Sequence, residues 1–144
     1  MIYTKLTNLA MRIAYDAHKD QVDLAGVPYV FHPFHIAERM DDERTTIIAL
    51  LHDVVEDSKY TFEDLAIFGF DETITGPLRS LTRASGEPYE DYIKRLSKDK
   101  TAVKVKLADL EHNLDPTRCA KQDEHLLRLR ARYEKAKKFL LDRI

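Results

Sequence analysis

The chain has 144 residues, 44% of them hydrophobic and 33% charged, with a formal net charge of −2. That length fits one domain over residues 1–144 with one hydrophobic core, and the composition excludes a disordered chain. The near-neutral charge excludes bulk nucleic-acid binding as the main activity, and the single cysteine, Cys119, excludes an internal disulfide and suits a reducing cytoplasm.

Helical spacing dominates in chain order. The first twenty residues lack the apolar core and cleavage site of a signal peptide, and no run is long enough to span a membrane, so the expectation is a cytoplasmic protein with no membrane partner. Leu6, Leu9, Ile13 and Ala17 recur three and four apart and predict one face of a first helix. "GVPYVFHP" at 26–33 interrupts that pattern as a structured loop, with Pro33 placed to open a short helix over 33–40. "DDERTTIIALLHDVVED" predicts one helix starting near Asp41 or Asp42. "YTFEDLAIFG" predicts a short helix with a Thr61–Asp64 start and a Gly69 stop. Further helices are expected over 71–82 and from Pro88. "TAVKVKLADLEHNL" is ambiguous because Val103, Val105 and Leu107 alternate like a strand. Leu107, Leu110 and Leu114 are spaced for a helix, and no partner strand exists, so a helix is expected there. The last helix carries Leu126, Leu129, Tyr133, Ala136 and Leu140 as a stripe expected to pack in the core, Tyr133 included. The fold expected is all-α, with about six to eight helices.

Residues 41 to 72 are acidic, whereas the stretch from Arg118 to Arg143 is basic and reads as the solvated face of a helix. Within the acidic segment, "LLHDVVED" places His52, Asp53, Glu56 and Asp57 in an otherwise apolar run. On a helix they fall within an arc of about 140°, opposite Ile48, Leu51, Val54 and Val55. Alone, such a stripe describes a solvent-facing acidic surface as well as a cleft. His32 at the end of "YVFHP" and Asp109 in "VKLADLEHN" add a second imidazole and a second carboxylate from other segments. Two imidazoles and two carboxylates suit Mn²⁺, Fe²⁺ or Zn²⁺ with positions left for water. The set has no thiolate, the chain has no HExxH helix, and it has no glycine-rich phosphate loop. These absences exclude a zinc-thiolate structural site, a zincin-type protease and P-loop chemistry. Cys119, beside Pro116 and Arg118 in an expected loop, is given no catalytic role.

The same residues resemble the HD superfamily of metal-dependent phosphohydrolases, and within it the hydrolase domain of the RelA/SpoT family. The matching strings are "AH" at 17–18, "GVPYVFHP" at 26–33, "ALLHDVVED" at 49–57, "LTRA" at 81–84 and "VKLADLEHN" at 105–113. The resemblance implies a single HD domain in which His32, His52, Asp53 and Asp109 bind one divalent ion, usually Mn²⁺. It implies that Glu56 and Asp57 organise and activate the attacking water, and that Asn113 sits close to the nucleotide. The implied reaction removes pyrophosphate from a guanosine 3′-diphosphate nucleotide, an alarmone; the implied partner is a small phosphorylated nucleotide.

The chain departs from the family pattern in two stretches, one that often carries basic residues and one that resembles Asp-Arg-Leu-His-Asn followed by a basic residue and Thr. Asp23 and Leu24 follow the "AH..Q" segment, and Leu110, Glu111, Asp115 and Pro116 surround the last ligand and Asn113. Lys106, Arg83 and Arg128 are the cations available to compensate, although each also reads as an ordinary surface charge. His18, His35, His112 and His125 read as packing or surface residues. Two alternatives stay open: an HD hydrolase acting on another nucleotide or phosphoester, and a nucleotide-sensing module without turnover.

Overall fold

The computed structural model describes residues 1–118 and 123–144. Cys119 lies outside the described residues. All regular elements described are helices: α1 (Lys5–His18), α2 (Phe31–Glu38), α3 (Glu43–Leu51), α4 (Val54–Asp57), α5 (Phe62–Ile67), α6 (Glu72–Leu81), α7 (Tyr89–Leu96), α8 (Lys100–Asn113) and α9 (Glu124–Leu141). Counting α3 and α4 as one interrupted helix gives eight, within the expected range. No helix among the described residues is long and apolar enough to cross a membrane.

α3 is the centre. Every residue from Thr45 to Leu51 is buried, and α1, α2, α6 and α8 pack around it. α1 starts at Thr4, whose hydroxyl accepts from the Thr7 N–H while Thr7 reaches back to the Thr4 N–H, a reciprocal cap. Its buried face runs through Thr7, Ala10, Ile13, Ala14 and His18, with Leu6, Leu9 and Ala17 only half-buried beside it. The predicted stripe is thus one edge of the packed face. The face is rotated because the small Ala10 and Ala14 are fully covered, while the leucines pack against the core from its edge.

The loop from 19 to 30 is held by local bonds. Asp23 Oδ1 accepts from the Ala25 and Val27 N–H groups, Gly26 takes a φ of +84° at the turn, and Val22 bridges to Pro28. α2 begins two residues earlier than Pro33 suggested. Pro33 sits in its first turn, where a missing N–H costs nothing. His32 consequently belongs to a helix and not to the preceding loop.

A second correction falls on the expected long helix from Asp42 to Asp57. Asp42 does cap its start, accepting from the Thr45 N–H at 2.7 Å. The helix breaks at His52–Asp53, however. The His52 Nδ1 lies 2.7 Å from the Ala49 carbonyl, the acceptor that the Asp53 N–H would use in a continued helix. Asp53 takes φ −108° and ψ 0°, and the chain resumes as the single turn α4. α5 has the predicted Thr61–Asp64 capping box and stops at Gly69, whose φ is +107°.

α8 explains its own ambiguous pattern. It lies between two apolar clusters: Ala102, Val105 and Ala108 face the one around α3, while Val103 and Leu110 face the one made with α7 and α9. Burial on two sides breaks a simple helical stripe. α9 corrects another expectation. Ala136 and Leu140 are buried and Tyr133 packs half-buried against the same cluster as expected, but Leu126 and Leu129 are half-buried along a cavity that Tyr133 also lines.

Candidate metal centre and catalytic cleft

Three elements converge at the α3–α4 break. His32 comes from the first turn of α2, His52 and Asp53 from the break, and Asp109 from the last turns of α8. His32, His52 and Asp109 are each 4% exposed or less. One ligand atom from each lies within 4.8 Å of the others, a spacing that one metal ion could bridge. The His32 Nε2 is 2.8 Å from Asp109 Oδ1, and the His52 Nε2 is 3.8 Å from the same oxygen.

Protonation geometry tests whether a cation fits. The Ala49 carbonyl can only accept, so His52 Nδ1 carries a hydrogen and donates. In neutral imidazole the buried Nε2 is then a lone pair. In that neutral form it has no hydrogen-bond partner among the described residues, although Asp53 Oδ2 is 3.0 Å away. A lone pair facing two carboxylates needs a proton or a metal between them. Burial alone would make His52 less basic, yet the negative charges of Asp53 and Asp109 hold its pKa well above the ordinary value. The donor set of two imidazoles and carboxylate oxygen fits a borderline or hard divalent ion.

Both carboxylates are held ionised. Burial opposes the charge on Asp109, but the ammonium of Lys106 and the His32 hydrogen bond keep its pKa well below the usual range. Lys106 Nζ is 2.8 Å from Asp109 Oδ2, and Asn113 Nδ2 donates to Asp109 Oδ1 at 3.0 Å. Asp53 is likewise depressed: burial opposes, but the His52 charge and hydrogen bond outweigh it. The Tyr29 hydroxyl also donates to Asp53 Oδ2. Burial, and then the Asp53 charge, raise the Tyr29 pKa, so it stays a donor. Tyr29 was only part of the "GVPYVFHP" string in sequence; an aromatic residue three before a histidine gave no sign that its hydroxyl reaches Asp53.

Glu56 and Asp57 stand on α4 at the solvent edge of this cluster. Glu56 Oε1 accepts from the Arg83 N–H at 3.0 Å. Partial burial and the Asp53 charge raise the Glu56 pKa. Partial burial, Asp53 and Glu56 together push Asp57 up to about 6. Carboxyl groups poised this way can exchange a proton with water near neutral pH.

A cavity of about 350 Å³ opens beside the cluster, lined by Leu24, Tyr29, Asn113, Arg118, Leu129 and Tyr133. Arg118 is a residue that sequence reasoning missed. Its guanidinium donates to Asn113 Oδ1 at 3.2 Å and to the His112 carbonyl at 3.1 Å, and it lies 3.5 Å from Asp23 Oδ2. Nothing in its spacing pointed inward, because the tie depends on the loop around residue 23.

Of the three cations, Arg128 is the ordinary surface charge expected, whereas Lys106 and Arg83 are tied to neighbours. Lys106 is buried against Asp109 and the Tyr92 ring, Arg83 donates to the Glu87 carbonyl at 2.7 Å, and Arg128 is exposed on α9. The departing residues have local occupations as well. Leu110 is fully buried in the α7–α9 cluster, Glu111 pairs with Arg39 at 2.6 Å, and Asp115 accepts from Thr117. His18 is buried, His125 is exposed, and His35 stacks on His112 with ring centres 4.0 Å apart. His112 does more than pack: its Nδ1 is 2.7 Å from the His32 Nδ1, which orients the His32 ring.

No family model matches the chain. The bifunctional (p)ppGpp synthase/hydrolase SpoT of Escherichia coli K12 is 34% identical, over 73% of this chain and 17% of that protein. The guanosine-3′,5′-bis(diphosphate) 3′-pyrophosphohydrolase of Haemophilus influenzae is 35% identical, over 71% and 17%. The chain therefore spans 17% of the length of these relatives. Among solved structures, a metazoan ortholog of SpoT, described as hydrolysing ppGpp with a role in starvation responses, superposes with a TM-score of 0.81. That match has 25% identity and covers 97% of this chain and 88% of that one.

Proposed function

The chain belongs to the RelA/SpoT-like family of HD domains, and on that premise we propose that it is a metal-dependent phosphohydrolase that removes pyrophosphate from a guanosine 3′-diphosphate nucleotide. The observation that carries the reading is the buried His52 Nε2, 3.0 Å from Asp53 Oδ2 and 3.8 Å from Asp109 Oδ1, a nitrogen and two carboxylates that need a proton or a metal ion between them, beside a solvent-edge acidic pair. The 3′-pyrophosphohydrolase relatives support the choice of substrate.

His32, His52, Asp53 and Asp109 would hold one divalent ion, with Mn²⁺ the ion proposed. A bound ion supplies positive charge that makes nearby water more acidic and offsets charge on a phosphate oxygen. The chain's own residues do the rest. The Tyr29 hydroxyl, the His112 ring and the Lys106 ammonium fix Asp53, His32 and Asp109 in turn. Glu56 and Asp57 orient the attacking water, and one of them takes its proton. Water adds to the 3′-linked phosphorus, the bond to the ribose oxygen breaks, and that oxygen receives the proton. Pyrophosphate and the 3′-hydroxyl nucleotide leave. Asn113 and the neighbouring cavity hold the nucleoside end.

A second reading keeps this chemistry and changes the nucleotide. Asp23 and Leu24 favour it, because they place an acid and an apolar side chain on the cavity wall. One experiment separates the two: purified protein with Mn²⁺, assayed for phosphate and pyrophosphate release from guanosine and adenosine 3′-pyrophosphates, nucleoside triphosphates, monophosphates and a dinucleotide. Pyrophosphate released from the guanosine 3′-pyrophosphate alone is the expected result. Turnover of a different member moves the substrate, and no turnover with metal bound rejects the hydrolase reading in favour of a sensor.

A further inference from the structure

α4 has four residues. A single turn has almost no stability of its own, because nucleation costs more than one or two hydrogen bonds return. Its local support is the Asp57 N–H donating to the Asp53 carbonyl at 3.0 Å and the Ser58 hydroxyl donating to the Val54 carbonyl at 2.5 Å, with Val54 buried in the core. These anchors lie at Val54, whereas Glu56 and Asp57 are exposed and take further support from other segments. Tyr29 and Arg83 hold its beginning and middle, through Asp53 and Glu56.

Beside the Ser58 cap, the far end is tied across the fold by a side chain from the loop after α1. Gln21 Nε2 donates to the Asp57 carbonyl at 2.9 Å, one of the end carbonyls that a helix leaves free. The other end of the same amide is fixed too. Gln21 Oε1 lies 2.9 Å from His18 Nδ1, and since a carbonyl oxygen only accepts, His18 must donate there. His18 is fully buried, with its ring edge against Tyr29 at 5.1 Å between centres. The Gln21 backbone carbonyl accepts from the Tyr29 N–H at 2.9 Å. One residue thus ties the Asp57 end of α4 to the same tyrosine that holds the Asp53 end.

We propose that Gln21, oriented by His18, is a positioning residue that sets the Asp57 carboxylate for water activation by holding the end of α4. This rests on the hydrolase reading for its kinetic consequence but not for its structural one.

The test uses the full chain, with Gln21→Leu to remove the donor and Gln21→Glu as an isosteric second variant that keeps the volume and loses the donor at neutral pH. Amide hydrogen exchange over residues 54–58, measured without substrate, should accelerate in both variants while exchange in α3 stays unchanged. With substrate, kcat should fall about tenfold with KM and bound Mn²⁺ unaltered. In an Asp57→Asn background neither substitution should cost anything further, because the effect runs through that carboxylate. Unchanged exchange at α4 overturns the proposal, as does a Gln21 effect of equal size in the Asp57→Asn background. A lowered Tm with wild-type kcat makes Gln21 a structural tie only and also overturns it. If the wild-type chain turns over nothing in the nucleotide panel, the hydrolase reading fails, and the exchange experiment still decides whether Gln21 holds Asp57.

Discussion

Lys106 and Asp109 form a buried ion pair one turn apart on α8, with Lys106 Nζ 2.8 Å from Asp109 Oδ2 and the ammonium 5.2 Å from the centre of the Tyr92 ring. Burial works against the charge on Lys106, yet Asp109 keeps its pKa well above the ordinary value. The lysine is the fixed countercharge of a carboxylate that also faces two imidazoles. Lys106→Met removes the ammonium and leaves Asp109 Oδ2 buried without its donor, with His32, His52 and Asn113 only on the Oδ1 side, which costs about 3 kcal/mol. The Tm of the metal-free protein should fall on the order of 10 °C. Excess Mn²⁺ should recover part of it, since an ion bound at Asp109 replaces the lost charge. Calorimetry with and without Mn²⁺ checks this, and an unchanged Tm would show that the pair contributes nothing.

Asp53→Ala removes the carboxylate 3.0 Å from the His52 Nε2 and the acceptor of the Tyr29 hydroxyl. Bound metal and activity should disappear together. The ratio of Mn²⁺ to protein after dialysis, read beside the turnover rate, makes the comparison; activity retained without metal sinks the ligand assignment.

Glu56→Gln should keep the metal and lower kcat by about 10²–10⁴-fold, the usual contribution of a positioned acid or base. Wild-type turnover in this variant excludes a catalytic role for Glu56.

The pH profile follows from Asp57, whose pKa is pushed up to about 6 by partial burial and by the neighbouring charges of Asp53 and Glu56. A water-activating carboxylate works only when ionised, so kcat should fall as pH drops through about 6 and level off above it. A bound cation favours the ionised form and moves that limb lower, never higher. The sign is opposite for stability: a raised acid favours the folded metal-free protein below the ordinary value of 3.8, and this contribution is lost as pH rises through about 6. Asp57→Asn should flatten the acidic limb of whatever activity remains; a limb that survives belongs to another group.

Arg118→Ala removes the guanidinium that donates to Asn113 Oδ1 on the wall of the 350 Å³ cavity. KM for the nucleotide should rise about tenfold with kcat and bound metal unaltered, as expected for lost contact with an anionic substrate. An unchanged KM confines Arg118 to holding Asp23 and the α8 end.

Much of this protein was legible in the chain because it depends on local chemistry. Helix starts at Asp42 and Thr61 and the stop at Gly69 are written in residues that cap or turn backbone whatever surrounds them. The candidate cluster was legible because two imidazoles and two carboxylates in otherwise apolar strings need compensation wherever they are buried.

What tertiary structure decided is different in kind. The His52 imidazole competes for the Ala49 carbonyl and breaks a helix whose apolar pattern runs straight through. The leucines of α9 have the spacing of a core stripe, but only the packing of α7 and α8 determines that Ala136 and Leu140 are covered while Leu126 and Leu129 line a cavity. Tyr29, Gln21 and Arg118 act through hydrogen bonds to residues 24, 36 and 5 positions away. Helical period and capping chemistry carry information over a turn or two, so contacts made across the fold, or around a loop, leave no mark in them.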